Sequence, residues 1–149
     1  MKDKEKCSNT QEFLRCSVCG NIIVKLEDSG VTPQCCGRDM EPIEPNTVDA
    51  STEAHVPCWK VNGHKLVVHI GEKDHPMEDV HSIQWVFVKT DKGCHTVFLC
   101  PEDEPEVCIK LHHNECVDAI YCYCNKHGLW KAACEKDMKD DKNHESGDE

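Results

Sequence analysis

No segment of this chain carries the ~20 consecutive apolar residues that a membrane-spanning helix needs, so the sequence reads as that of a soluble protein with no membrane partner. The first six residues, Met1 to Lys6, are charged and lead into no apolar run. No secretory signal peptide is therefore expected, and the chain is assigned to the cytoplasm. A basic excess is missing too: 17 lysines and arginines stand against 28 aspartates and glutamates, a formal net charge of −11. Phosphate backbones would be repelled by such a surface, which excludes nucleic acid as a partner. No stretch sustains the 3.6-residue apolar period of an amphipathic helix.

Cysteine is abundant instead. There are 13 in 149 residues, an odd number, and in a reducing compartment such clusters mean metal more often than disulfide. The length has room for one domain of roughly 90 to 100 residues plus a small module. A module of that size needs a metal or another staple to stand alone. Cys16-Ser17-Val18-Cys19, followed by Cys35-Cys36, supplies one. A two-residue gap lets a tight turn aim both thiolates at one ion. The adjacent pair is less usual, because its backbone drives the two Cβ atoms apart. The spacing suits zinc and iron alike.

The organisation that follows is a four-cysteine module over 1–44, a larger domain over 45–131 and an acidic, disordered tail over 132–149. Asn21 to Leu26 reads as a strand and Asp28-Ser29-Gly30 as a turn; Pro42 to Thr52 reads as a linker. In the larger domain every signal is for strands. Val56–Val61 and Lys65–Ile70 flank Asn62-Gly63, a hairpin signal. Ile83–Thr90 and Cys94–Leu99 flank Asp91-Lys92-Gly93, and Val107–Leu111 and Val117–Tyr123 add two more. Short strands at this spacing make an all-β sandwich or small barrel.

Across those strands run histidines whose pattern exceeds its parts. His55 precedes Val56-Pro57, His75-Pro76 sits six residues before His81, and Cys124 and His127 stand three apart at the end of what reads as the last strand. Four imidazoles and a thiol suit zinc, copper, nickel or iron.

The same residues carry a resemblance. C-x-x-C-G-N with the later C-C-G and Met40 resembles the desulforedoxin module, and E-A-H-V-P, H-P-M-E-D-V-H-S-I-Q-W and C-N-K-H-G-L-W resemble the three signatures of a superoxide reductase catalytic domain. From Phe13 to Trp130 the sequence is similar to the desulfoferrodoxins. The resemblance implies an immunoglobulin-like β-sandwich behind a desulforedoxin-like module. It implies two iron ions per chain, one held by Cys16, Cys19, Cys35 and Cys36, the other by His55, His75, His81 and His127 with Cys124 as axial thiolate. Glu53 matches the glutamate that closes the oxidised site. Superoxide is the implied substrate, reduced to hydrogen peroxide without oxygen evolution, with a rubredoxin-like electron donor and a homodimer as the implied partners. Two positions depart from the pattern: Ala54 stands where lysine is common and Ser82 where an aromatic is common. Losing the lysine removes local positive potential for an anionic substrate.

Eight cysteines have no place in either site: Cys7, Cys58, Cys94, Cys100, Cys108, Cys116, Cys122 and Cys134. Most are expected to be small buried hydrophobes or inert thiols. Cys122 shares strand parity with Cys124, so both should lie on one face.

Overall fold

The computed structural model describes residues 12–46, 56–70, 77 and 81–132. They form 12 β-strands and, among the described residues, no helix. The chain divides into two compact units, Met1–Glu44 and Pro45–Glu149.

In the first unit β1 (Phe13–Arg15), β2 (Ile22–Val24) and β5 (Glu41–Ile43) form an antiparallel sheet in the order β2-β1-β5, beside a two-stranded ribbon of β3 (Gln34–Cys35) and β4 (Arg38–Asp39). The strand expected over Asn21 to Leu26 stops at Val24. Lys25 closes a turn there, its Nζ donating to Asp28 Oδ1 at 2.7 Å and to the Val31 carbonyl at 3.0 Å. Pro42, expected in a linker, is instead paired with Leu14. It is tolerated because β5 is an edge strand, where a missing N–H costs no ladder bond. Among the described residues the buried cluster here is Leu14, Cys16 and Met40, with Cys35 packed against it, and Phe13 is buried as well. Burying two such aliphatic side chains contributes about 3–6 kcal/mol, against about 1–2 kcal/mol of backbone entropy for each residue ordered.

The second unit is built differently. A three-stranded sheet, β10-β7-β6, faces a four-stranded sheet, β12-β11-β8-β9. The strands are β6 (Pro57–Asn62), β7 (Lys65–Ile70), β8 (Ile83–Thr90), β9 (Cys94–Phe98), β10 (Glu106–Lys110), β11 (Val117–Cys124) and β12 (Gly128–Ala132). Leu66, Val68 and Ile70 alternate inward from the first sheet; Val86, Val88, Ile120, Cys122 and Trp130 meet them from the second. Two antiparallel sheets of three and four strands around one core are the sandwich the sequence predicts.

Three details differ from the sequence reading. The β6–β7 loop is Gly63-His64 rather than Asn62-Gly63, since Asn62 pairs with Lys65. Only Gly63 has positive φ, 68°, which marks a type II′ turn with glycine at the first central position. Val117–Tyr123 is not the last strand. β12 follows, so Cys124 and His127 flank the turn of a β-hairpin, with Gly128 at φ 82° opposite Cys124. Asn46, placed in the linker by sequence, is bonded to β12. Its N–H donates to Leu129 O at 3.0 Å, its Nδ2 to Lys131 O at 3.2 Å, and its Oδ1 accepts from Lys131 N at 2.9 Å.

At the Thr90 end of β8 lies a buried polar cluster. Glu115 Oε2 accepts from the Thr90 hydroxyl at 2.6 Å and lies 3.1 Å from His95 Nε2, while Oε1 accepts from His112 N at 2.9 Å. These bonds, the Thr90 hydroxyl foremost, hold the Glu115 carboxyl down to about 2.

Candidate metal centres

Two loops converge in the first unit. Cys16 directly follows β1, and the next residues fold back so that Gly20 N donates to Cys16 O and Cys16 N to Asn21 O, both at 2.9 Å. Gly20 takes φ 85° to allow it. The same turn points the Val18 and Cys19 amides at Cys16 Sγ, each at 3.4 Å. The second loop answers the difficulty of an adjacent cysteine pair. Cys35 pairs with Arg38, leaving Cys36 and Gly37 as a two-residue turn with φ 56° and 74°. Positive φ at both central positions defines a type I′ turn. For a cysteine that left-handed conformation costs about 1–2 kcal/mol. It swings the Cys36 Cβ so that its sulfur lies 4.0 Å from Cys35 Sγ, which in turn lies 3.7 Å from Cys19 Sγ.

All four sulfurs lie within 4.8 Å of one another. Tetrahedral thiolates at about 2.3 Å from an ion sit about 3.8 Å apart, so the cage fits one. Its electrostatics point the same way. Amide donation, from Cys19 first, draws the Cys16 thiol down to about 6, while the neighbouring sulfurs, Cys19 first, push Cys36 up to about 12 and raise Cys35 as well. A thiolate is favoured at Cys16, while Cys35 and Cys36 ionise only against a cation. Cys16 is buried, Cys35 half-buried, and Cys19 and Cys36 are exposed.

The second unit brings together His81, Cys124 and His127, whose donor atoms also lie within 4.8 Å of one another. Cys124 Sγ is 3.9 Å from His127 Nδ1, and the His81 and His127 rings meet edge to face at 5.1 Å. Cys124 is fully buried and His81 Nε2 is a buried nitrogen. Burial raises the Cys124 thiol, opposed by the Lys126 and His127 amides directed at its sulfur. A buried sulfur surrounded by N–H donors and imidazoles is prepared for a thiolate bound to a cation.

A β-bulge lies across from Cys124. Tyr123 pairs with Trp85, but Cys124 pairs with Ile83, so Gln84 is the extra residue and Ile83 turns into the core. Bulges of this kind re-aim side chains beside functional sites. His55, His75 and Glu53 lie outside the described residues, as does Ala54. The sequence reading missed three supporting contacts: Trp130 Nε1 donating to His127 O at 3.1 Å, Ile83 N donating to Met77 Sδ at 3.4 Å, and the bonds of Asn125 to Ser82. Asn125 follows directly on Cys124, which is the one signal that could have marked it.

Among the described extra cysteines the buried reading holds for Cys122 alone, which is in the core, while Cys94, Cys100, Cys108 and Cys116 are exposed and Cys58 is half-buried. Cys7 and Cys134 lie outside the described residues. Cys94 lies on the edge strand β9, Cys58 and Cys108 on outward positions of β6 and β10, and Cys100 and Cys116 in loops. Cys122 and Cys124 do share the core face, and burial pushes the Cys122 thiol far up.

The profile described as desulfoferrodoxin matches residues 47–133, and that described as desulfoferrodoxin, N-terminal domain, matches residues 8–43. A desulfoferrodoxin from Desulfarculus baarsii is 40% identical over 121 residues, 81% of this chain and 94% of the relative. One from Nitratidesulfovibrio vulgaris is 37% identical over 128 residues, covering 83% and 97%. The crystal structure of the superoxide reductase from Treponema pallidum superposes with a TM-score of 0.71 at 31% identity, covering 83% of this chain and 98% of that one.

Proposed function

Since the chain belongs to the desulfoferrodoxin family, we propose that it is a superoxide reductase working with two iron ions. One superoxide, one electron and two protons give one hydrogen peroxide, and no oxygen is released. The observation that carries this reading is the meeting of His81, Cys124 and His127, with the thiol buried and amide-bonded at the end of β11.

In this reading Cys124, His55, His75, His81 and His127 would hold an iron ion. Such an ion would supply the electron for the reduction, and thiolate ligation would make it a better donor. The amides of Lys126 and His127 temper that donation by sharing the sulfur's charge. Glu53 closes the site in its oxidised state. Cys16, Cys19, Cys35 and Cys36 hold the other iron and so hold the 1–44 module folded. Residues 45–132 are the catalytic domain, one residue longer than the sequence reading because the buried Ala132 closes β12, and 133–149 an acidic tail. The protein is cytoplasmic, forms a homodimer and draws electrons from a rubredoxin-like donor.

The test is anaerobic purification, iron and zinc quantification, and stopped-flow mixing with superoxide. Two irons per chain and one peroxide per superoxide, without oxygen, are expected. Redox cycling with no peroxide formed would make the protein an electron carrier, and zinc in place of both irons would make it a structural module.

A further inference from the structure

Asn125 occupies the point where the two halves of the second centre meet. Its backbone N–H donates to Ser82 O at 3.2 Å, continuing the β8–β11 ladder one rung past the Cys124–Ile83 pair. The reciprocal bond of that rung comes from the side chain: Asn125 Oδ1 accepts from Ser82 N at 2.9 Å. β11 ends at Cys124 and the chain enters the turn toward His127, so a side-chain amide stands in where a backbone carbonyl would complete the pair. Ser82 is buried and directly follows His81, and Asn125 directly follows Cys124.

We propose that Asn125 is a positioning residue that ties the His81 ligand to the Cys124–His127 hairpin and sets the separation of the three donor atoms. The inference rests on the functional reading above but concerns the chain's own hydrogen bonds. Only a residue with a short side-chain acceptor can do this. The tie uses the backbone of Ser82, so the serine side chain is not what carries it. Without the acceptor, Ser82 N loses its partner in a buried position. The segment bearing His81 is then held to the hairpin by the backbone bond of residue 125 alone, while Cys124 and His127 stay on β11 and its turn.

The experiment compares full-length wild type with Asn125→Ala and Asn125→Asp, each reconstituted anaerobically with ferrous iron. Outer contacts of metal ligands are typically worth about 10–100-fold in affinity. Asn125→Ala is expected to bind the second iron more weakly within that range and to shift its thiolate-to-ferric absorption band. The four-cysteine centre's spectrum should be unchanged, and a cooperative denaturant transition of the metal-free variant certifies that the sandwich is folded. Asn125→Asp keeps an acceptor and should restore both affinity and band position. Amide exchange at Ser82 in metal-free protein gives a readout independent of iron: fast in the alanine variant, slow in the aspartate variant. Wild-type affinity, band and Ser82 exchange in Asn125→Ala would overturn the proposal while leaving the functional reading intact. A wild type that loads no iron at its second centre would overturn both.

Discussion

The two metal centres are held by opposite means. The first is made by two loops only 16 residues apart, on a unit whose described residues give a small buried cluster about Leu14, Cys16 and Met40. The second sits at the edge of a continuous core running through both sheets of the sandwich. In the proposed reading an ion would hold the first unit together, whereas the second unit's own core would hold its ion. The backbone reflects the contrast. Cys36 accepts a left-handed conformation at φ 56° that only an over-determined turn retains, whereas Cys124 keeps ordinary strand alternation with Cys122 and the one bulge lies across from it, at Gln84 of β8.

Removing the ions should break the comparison most visibly. Apparent binding energies of structural zinc in small modules reach about 10–16 kcal/mol. A strong chelator should therefore abolish amide-exchange protection at Leu14 and Met40 while leaving Val86 and Ile120 protected. Protection surviving at Leu14 would mean the small unit supports itself.

Next in size is Ile120→Ala, which empties a fully buried site between the sheets. It should cost the sandwich about 2–5 kcal/mol in denaturant unfolding, with the absorption of the four-cysteine centre unchanged below the transition.

A smaller effect depends on acidity. Folding lowers the Glu115 carboxyl from 4.5 to about 2, so the folded protein takes up that proton later than the unfolded chain. The stabilisation is complete above pH 4.5 and drains away as pH falls toward 2. Glu115→Gln should cost about 1–3 kcal/mol at neutral pH and flatten the loss of stability over that acid range. Parallel acid limbs in wild type and variant would refute the assignment.

The smallest test is the sharpest. Gly37 and Gly63 both have positive φ with open space where a Cβ would go, so alanine at either imposes only a backbone penalty of about 1–2 kcal/mol. At Gly63 it should appear as a lowered unfolding midpoint of the sandwich. At Gly37 it should appear as weaker metal binding, about tenfold for each 1.4 kcal/mol. An equal loss of metal affinity at both positions would contradict the contrast.

The sequence by itself determined the strand period of the sandwich, because Leu66, Val68 and Ile70 alternate as a half-buried strand must. It also determined the four-cysteine set, because C-x-x-C and C-C-G carry their turn chemistry locally. Tertiary structure alone decided which cysteines are buried, since Cys58 and Cys122 look alike until a sheet face is assigned. It also placed Asn46 against β12, 85 residues away in sequence, and Asn125 against Ser82, 43 away. Local spacing encodes turns and alternation, but a bond between distant strands follows from register. Register belongs to the packed sheet and its bulges, not to any one segment.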